Sequence, residues 1–417
     1  MTDQLPLALQ PRPFSEVHEI LMNRARALVN PCRYVTADEV EKALSKLDST
    51  EPAKWAKAFS DAAAPHEEKA VNAEAIGDTA TAMSEYLAAY DYYHIGRFPT
   101  INSAPKLEAY GLAKDNFLKA SQFFDPPLER ILIPFKGREG EGDSIPAYFR
   151  RPKGNEVVPI VVSMGGIDGF KEERDVGGYL RKGVAALTMD MPGVGESPLK
   201  FGTDSERLFD PVFDWIRARA DLDSSRIAVV GNSFGGYWAA KLAHTHKDQL
   251  TAVVAHGGPM HYMFTEESLH VKHAWYAFEL YETSWYAMGI SGLDEWRERR
   301  ESLDMVNLGI IGTPAADLLC VNGVSDISAP PSDTMLFAQN EPRSSAWLFP
   351  GGHMGTGDVR ERIGEVSYSC MIDCYLLKSK KPPYMMASRW LPWLRAPEAR
   401  RYVGLRRSPL RPRWHCC

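Results

Sequence analysis

Residues 226–240 read Arg-Ile-Ala-Val-Val-Gly-Asn-Ser-Phe-Gly-Gly-Tyr-Trp-Ala-Ala. The β-branched run 227–230 predicts a strand, and Ala239, Ala240 and Leu242 predict a helix directly after it. Between them, Gly231-Asn232-Ser233-Phe234-Gly235 is a G-x-S-x-G motif in the strand–turn–helix context that gives the pattern its meaning. So tight a turn needs small residues around the serine, which gives Gly231 and Gly235 a steric task. It also lifts the Ser233 hydroxyl off the sheet edge, where a base can reach it. Without its flanks the motif is weak, and an ordinary serine in a glycine-rich turn is the competing explanation.

Outward from this turn, candidate strands fall at 157–163, 184–189, 227–230, 252–255, 318–321 and 346–349, with helical stretches between them. Such alternation predicts an α/β protein with a mostly parallel, doubly wound sheet. Ahead of it, 131–133 and 145–149 flank a polar, Gly-rich link and predict an antiparallel hairpin or meander. Two antiparallel strands leading into a parallel set is the order of the α/β-hydrolase fold. Residues 14–124 carry helical periodicity instead, with Val17, Ile20, Leu21, Ala25 and Leu28 on one stripe. Further helices are expected near 37–47, 51–62, 65–76, 78–95 and 105–123. The pair around 70–93 has no second copy, so a repeat array is unsupported.

The expected organisation is an N-terminal helical cap domain over 1–126, an α/β-hydrolase core over 127–358 and a basic C-terminal extension over 359–417. A helical insert, 259–312, interrupts the core where hydrolases of this fold carry a lid. Its Trp275, Tyr276, Phe278, Tyr281, Trp285 and Tyr286 suit a core more than a pocket wall. Cap and insert are expected to roof the cleft together.

A serine hydroxyl needs a base within hydrogen-bond reach. The fold orders its triad as serine, acid, histidine along the chain. His353, in Pro350-Gly351-Gly352-His353-Met354 after the last strand, is the candidate general base. Asp326, in Gly323-Val324-Ser325-Asp326 after the penultimate strand, is the candidate acid that orients it. Asp333 competes but lies farther from the strand end. The oxyanion donors are expected to be the Phe234 N–H and a main-chain N–H at Gly166 or Ile167, in the loop Met164-Gly165-Gly166-Ile167-Asp168-Gly169. Asp168, Lys171 and Glu172 either support this loop or sit in a solvated turn. Residues 190–197 read as a structural turn lining the cleft, since their glycine spacing fits no nucleotide-binding fingerprint. His256 is expected to be a packed strand-end residue. His270 and His273, three apart on one helix, have no carboxylate placed for zinc, and Cys370-x-x-x-Cys374 has no second ligand pair. Neither metal nor cofactor is expected.

The 417 residues are 44% hydrophobic and 24% charged, as in soluble globular proteins. No apolar run approaches the ~20 residues needed to span a bilayer. Residues 1–13 show no signal-peptide pattern, and six cysteines are few. A cytoplasmic, reducing location is therefore expected. The net charge of −6 is uneven: residues 375–417 hold 11 Lys/Arg against one acidic residue, leaving −16 on the rest. An acidic body offers no electrostatic footprint for nucleic acid. The basic extension reads as poorly packed, or as the product of an altered reading frame. The expected partner is a small-molecule carbonyl substrate, with neither nucleic acid nor membrane; a homodimer stays open.

Taken together, Gly165-Gly166-Ile167-Asp168 with Lys171-Glu172, Asp190–Ser197, Gly231–Gly236, Gly257-Gly258-Pro259 with His261-Tyr262, Gly323–Asp326 and Pro350–Gly355 carry a resemblance. They resemble the α/β-hydrolase branch with an N-terminal helical domain. That branch includes bacterial 2,6-dihydroxypseudooxynicotine hydrolase, fungal polyketide-shortening hydrolases and hydrolases of fusarin and toxin gene clusters. The resemblance implies a serine hydrolase acting on a carbonyl compound, with carbon–carbon cleavage known in the family, and a place in secondary metabolism. Members end soon after the histidine with one amphipathic helix. This chain departs from them there, ending His415-Cys416-Cys417 without a peroxisomal signal.

Overall fold

A computed structural model of the chain describes residues 5–355, 367–369 and 371–377. Five helices come first: α1 (Phe14–Arg26), α2 (Ala37–Leu44), α3 (Pro52–Ala75), α4 (Thr79–Arg97) and α5 (Ala104–Ser121). Two expected helices near 51–62 and 65–76 are one, α3, which runs through Pro65. The alanines at 62–64 favour helix strongly enough to carry the chain past the one hydrogen bond that proline removes. Trp55, Phe59, Tyr86, Tyr90, Phe98 and Phe117 form the buried core of this region, joined by Tyr148 and Phe278 from outside it.

The strands are β1 (Glu129–Pro134), β2 (Ser144–Arg150), β3 (Val158–Met164), β4 (Ala185–Met189), β5 (Leu222–Asn232), β6 (Ala252–His256), β7 (Asp317–Gly323) and β8 (Ser344–Phe349). They form one sheet in the order β1-β2-β4-β3-β5-β6-β7-β8. The β1–β2 and β2–β4 pairs are antiparallel and the rest parallel. This is the α/β-hydrolase fold. The parallel strands are apolar on both faces: in β5, Ile227 and Val229 enter one core cluster, Ala228 and Val230 the other. Between strands run α6 (Gly177–Arg181), α7 (Asp210–Arg217) and α8 (Phe234–Thr245). The stretch after β6 holds α9 (Leu280–Met288) and α10 (Leu293–Leu303), and α11 (Pro331–Asn340) precedes β8.

Part of the expected extension packs against the body. Met371, Ile372 and Leu376 are buried against Val161, Val230 and Val254, and Asp373 pairs with Lys182 at 2.8 Å. Its apolar residues recur at helical spacing, a local stripe that the basic composition of the whole segment obscures. Residues 378–417, with Cys416 and Cys417, and Cys370 lie outside the described residues. Among the described residues no helix is long and apolar enough to cross a membrane.

Candidate active site

The parallel strands deliver their C-terminal ends to one edge, where α/β sheets place their sites. At the end of β5, Ser233 has φ 53° and ψ −127°, a left-handed conformation that L-residues rarely adopt. A Cβ on Gly231 would collide with the Gly235 carbonyl, and one on Gly235 with the Gly165 carbonyl. The steric task read from the motif is thus seen in the turn itself.

The structure brings Ser233, His353 and Asp326 into one hydrogen-bonded chain. His353 Nε2 lies 3.0 Å from Ser233 Oγ, and His353 Nδ1 lies 2.7 Å from Asp326 Oδ2. A carboxylate at Nδ1 makes that nitrogen the donor, so Nε2 is left to accept from the serine. Asp326 also accepts the main-chain N–H groups of Ser328 (2.8 Å) and Ala329 (3.1 Å). Burial alone would raise its carboxyl; His353, the Ser328 N–H and Asn322 outweigh burial and hold it below the usual carboxylate range.

The loop after β3 runs alongside. A Cβ on Gly166 would come within 2.8 Å of Ser233 Cβ and 3.1 Å of its Oγ, so the bare main chain of this loop abuts the hydroxyl. Phe234 is the first residue of α8, and its N–H has no carbonyl partner within the helix. Lys171 and Glu172 are buried, which excludes the solvated-turn alternative. Lys171 Nζ is paired with Asp190 (2.8 Å), Glu196 (2.8 Å) and Glu172 (3.1 Å). Asp190 receives Lys171 N and Glu196 N, so the 190–197 turn braces the loop; it does not line the cavity at Ser233.

Sequence reasoning missed several contributors. Asn322, fully buried at the end of β7, donates to Asp326 Oδ2 (2.8 Å) and the Ala329 carbonyl (2.7 Å). Its Oδ1 accepts from Gly323 N (2.8 Å) and Met354 N (3.0 Å), tying the acid loop to the histidine loop. Trp275 stacks on His353 with centroids 4.2 Å apart and donates Nε1–H to Ser328 Oγ at 2.8 Å. His273 Nδ1 lies 2.7 Å from the same hydroxyl. It stands beyond the short 3₁₀ turn Glu266–His270, so His270 and His273 do not share a helix as expected. His256 is packed, with Nε2 3.1 Å from the Met354 carbonyl. Asp333 accepts the N–H groups of Met260, His261 and Tyr262 and so anchors the start of the insert. Burial pushes its carboxyl up to about 6 against the pull of those donors.

The cavity at Ser233 is only about 10 Å³. Its wall comes from Ile167, Phe234 and Ser328 of the core and Pro259, Met263, Trp275, Tyr276 and Leu280 of the insert. Two of the insert's aromatics therefore do line it, while Tyr281 and Trp285 are core. The helical region stands behind this wall instead of forming it. Arg12 donates to the His273 carbonyl (3.0 Å), Arg24 to that of Trp275 (3.2 Å), and Phe278 is packed against Trp55 and Phe98. A larger cavity, about 450 Å³, lies apart from Ser233 between the helical region and β2 and β4. Among the described residues no His, Cys, Asp and Glu cluster is placed to hold a metal ion.

Residues 43–276 match the family model described as Esterase FrsA-like. The chain belongs to the FrsA-like esterase family. It is therefore a member of a hydrolase family. The match contains Ser233 and the loop after β3; Asp326 and His353 lie beyond it. Esterase FrsA of Photobacterium profundum is 26% identical over 244 residues, 56% of this chain and 55% of that protein. The 20-hydroxy-prefusarin hydrolase FUS2 of Gibberella moniliformis is 29% identical over 231 residues, 52% of this chain and 54% of that protein. The chain spans about half the length of the curated relatives it matches. Among solved structures, the 2,6-dihydroxy-pseudo-oxynicotine hydrolase superposes with a TM-score of 0.68 at 22% identity, covering 83% of this chain and 95% of that one. That likeness is one of fold.

Proposed function

We propose that the chain is a serine hydrolase that cleaves an ester, or a carbon–carbon bond next to a carbonyl, in a polyketide-like secondary metabolite. The observation that carries this reading is the Ser233–His353–Asp326 chain, with links of 3.0 and 2.7 Å. Ser233 Oγ adds to the substrate carbonyl while His353 Nε2 takes its proton. The resulting oxyanion is met by the Phe234 N–H and a main-chain N–H at Gly166 or Ile167. Collapse expels an alkoxide, or an enolate where a second carbonyl stabilises the carbanion, and His353 returns the proton to it. Water, activated by the same imidazole, then releases the acyl group from Ser233. Asp326 keeps the imidazole in the required tautomer and stabilises its cation.

The substrate class is supported by the aromatic cavity wall and by relatives whose names include a prefusarin hydrolase. A second reading, a general carboxylesterase, is favoured by the FrsA esterases among the relatives. A fluorophosphonate probe followed by peptide mass spectrometry tests the mechanism. An adduct on Ser233, lost in Ser233→Ala and slowed in His353→Gln, is expected; a folded wild-type protein with no adduct there overturns it. Cleavage of short esters but not of β-diketones would favour the second reading.

A further inference from the structure

Arg97 ends α4, is fully buried, and carries its guanidinium into the loop that follows β3. Its Nη2 donates to the Asp168 carbonyl at 2.7 Å and to Glu173 Oε1 at 3.0 Å; its Nη1 donates to the Pro99 carbonyl at 2.9 Å. The guanidinium lies 3.7 Å above the Phe170 ring centroid, and Nε is 3.3 Å from His94 Nδ1. Glu173 completes the knot. It accepts Phe170 N at 2.9 Å and the Asn30 amide, and pairs with His94 at 3.0 Å. Asn30 reaches the Asp168 carbonyl as well, at 3.5 Å. Two residues of the helical region thus converge on the carbonyl one residue beyond Ile167. That loop is where the proposed second oxyanion donor sits, with Gly166 abutting Ser233.

A main-chain donor can stabilise an oxyanion only if it is aimed before the charge develops. The loop has no regular strand or helix between Met164 and the 3₁₀ turn at Lys171–Glu173 to aim it. Its outer end is instead held by a planar cation donating in several directions, which an ammonium cannot copy. Resting on the proposed mechanism, we propose that Arg97 is a positioning residue for the oxyanion donor of this loop. Through the Asp168 carbonyl and Glu173, the helical region sets a transition-state contact made by the core.

The test begins with wild type and a trifluoromethyl ketone matched to a cleaved ester. Failure of the ketone to form a hemiketal on Ser233, read by ¹⁹F NMR, would strike the proposed mechanism itself, before Arg97 is examined. With the adduct established, Arg97→Lys, Arg97→Met and Asn30→Ala are compared on two ligands and one substrate. The ligands are that ketone and its methyl carbinol, which fills the same space without forming an adduct; the substrate is p-nitrophenyl acetate. Both Arg97 variants are expected to lower kcat and ketone affinity together, on the order of 10²-fold, the usual effect of losing an oxyanion donor. Carbinol affinity and KM stay within about threefold, as expected for a contact made only in the transition state. Asn30→Ala, which leaves Arg97 in place, shows the same selective pattern at roughly a tenth of the size by the same reasoning. Equal losses for ketone and carbinol, or an unchanged kcat, overturn the proposal. If the Arg97 variants do not fold, the Asn30→Ala ratio decides it by the same two outcomes.

Discussion

The backbone at Ser233 makes a quantitative prediction that separates stability from activity. A non-glycine residue at φ 53°, ψ −127° carries a strain of ~1–3 kcal/mol. Ser233→Ala removes the hydroxyl, and with it the contact to His353 Nε2, but keeps the Cβ and the strain. Ser233→Gly removes both. The difference between the two variants isolates the Cβ, the atom that a side chain at position 166 would strike at 2.8 Å. Against the strain released stands the extra freedom of glycine in the unfolded chain, ~0.5–1 kcal/mol. Ser233→Gly should therefore be more stable than Ser233→Ala by about 1 kcal/mol, while both lose activity on the order of 10³-fold or more. Urea unfolding followed by tryptophan fluorescence reads the first, and hydrolysis of p-nitrophenyl acetate the second. A glycine variant no more stable than the alanine variant would mean that the backbone at Ser233 holds no strain.

Asn322→Ala leaves Met354 N and the Ala329 carbonyl unpaired in the interior and takes a donor from Asp326. At ~1 kcal/mol per neutral hydrogen bond and ~1.5–3 for one to a charged group, the loss should be about 3–5 kcal/mol in urea unfolding; less than 1 kcal/mol would refute the shared anchor. Asp333 has a folded-state value raised from 3.8 to about 6, so the folded protein holds the proton more tightly between those pH values. Its contribution to stability is full below 3.8 and is lost as pH rises to about 6; Asp333→Asn should gain on wild type across that window, by at most about 3 kcal/mol. A difference between the two proteins that is flat with pH would contradict this. Trp275→Ala should shift the acyl-chain preference toward longer esters, because the indole forms part of the cavity wall. An unchanged chain-length profile would show that the wall does not select.

Much of the site was legible because its signals are local. Ser233 sits between a β-branched run and a helix-forming run, and chain order then leaves His353 and Asp326 after the last two strands. All eight strands were likewise visible as short apolar runs. What escaped was made by pairs far apart in the chain. Asn322 is an unremarked strand-end amide until Met354 folds back on it, 32 residues away. Arg97 meets Asp168 across 71 residues, and nothing in the local pattern of α4 marks its last arginine as buried. The helical region was expected to roof the cleft because a bare core would leave Ser233 open to water. The wall of the cavity comes from the insert and the core, and the helical region contacts that wall and the loop after β3.

The small cavity at Ser233 has a consequence for how substrates are chosen. About 10 Å³ accommodates roughly one water molecule. A carbonyl compound larger than that meets Trp275, Tyr276 and Leu280 at the wall, and Trp275 and Tyr276 belong to a stretch with no regular helix between the turn ending at His270 and α9. Choice then falls at the threshold as much as in the grip. Two molecules with equal final affinity are turned over unequally if the wall yields to one sooner. Where the wall must part before binding, the observed binding rate levels off with substrate concentration at the speed of that parting.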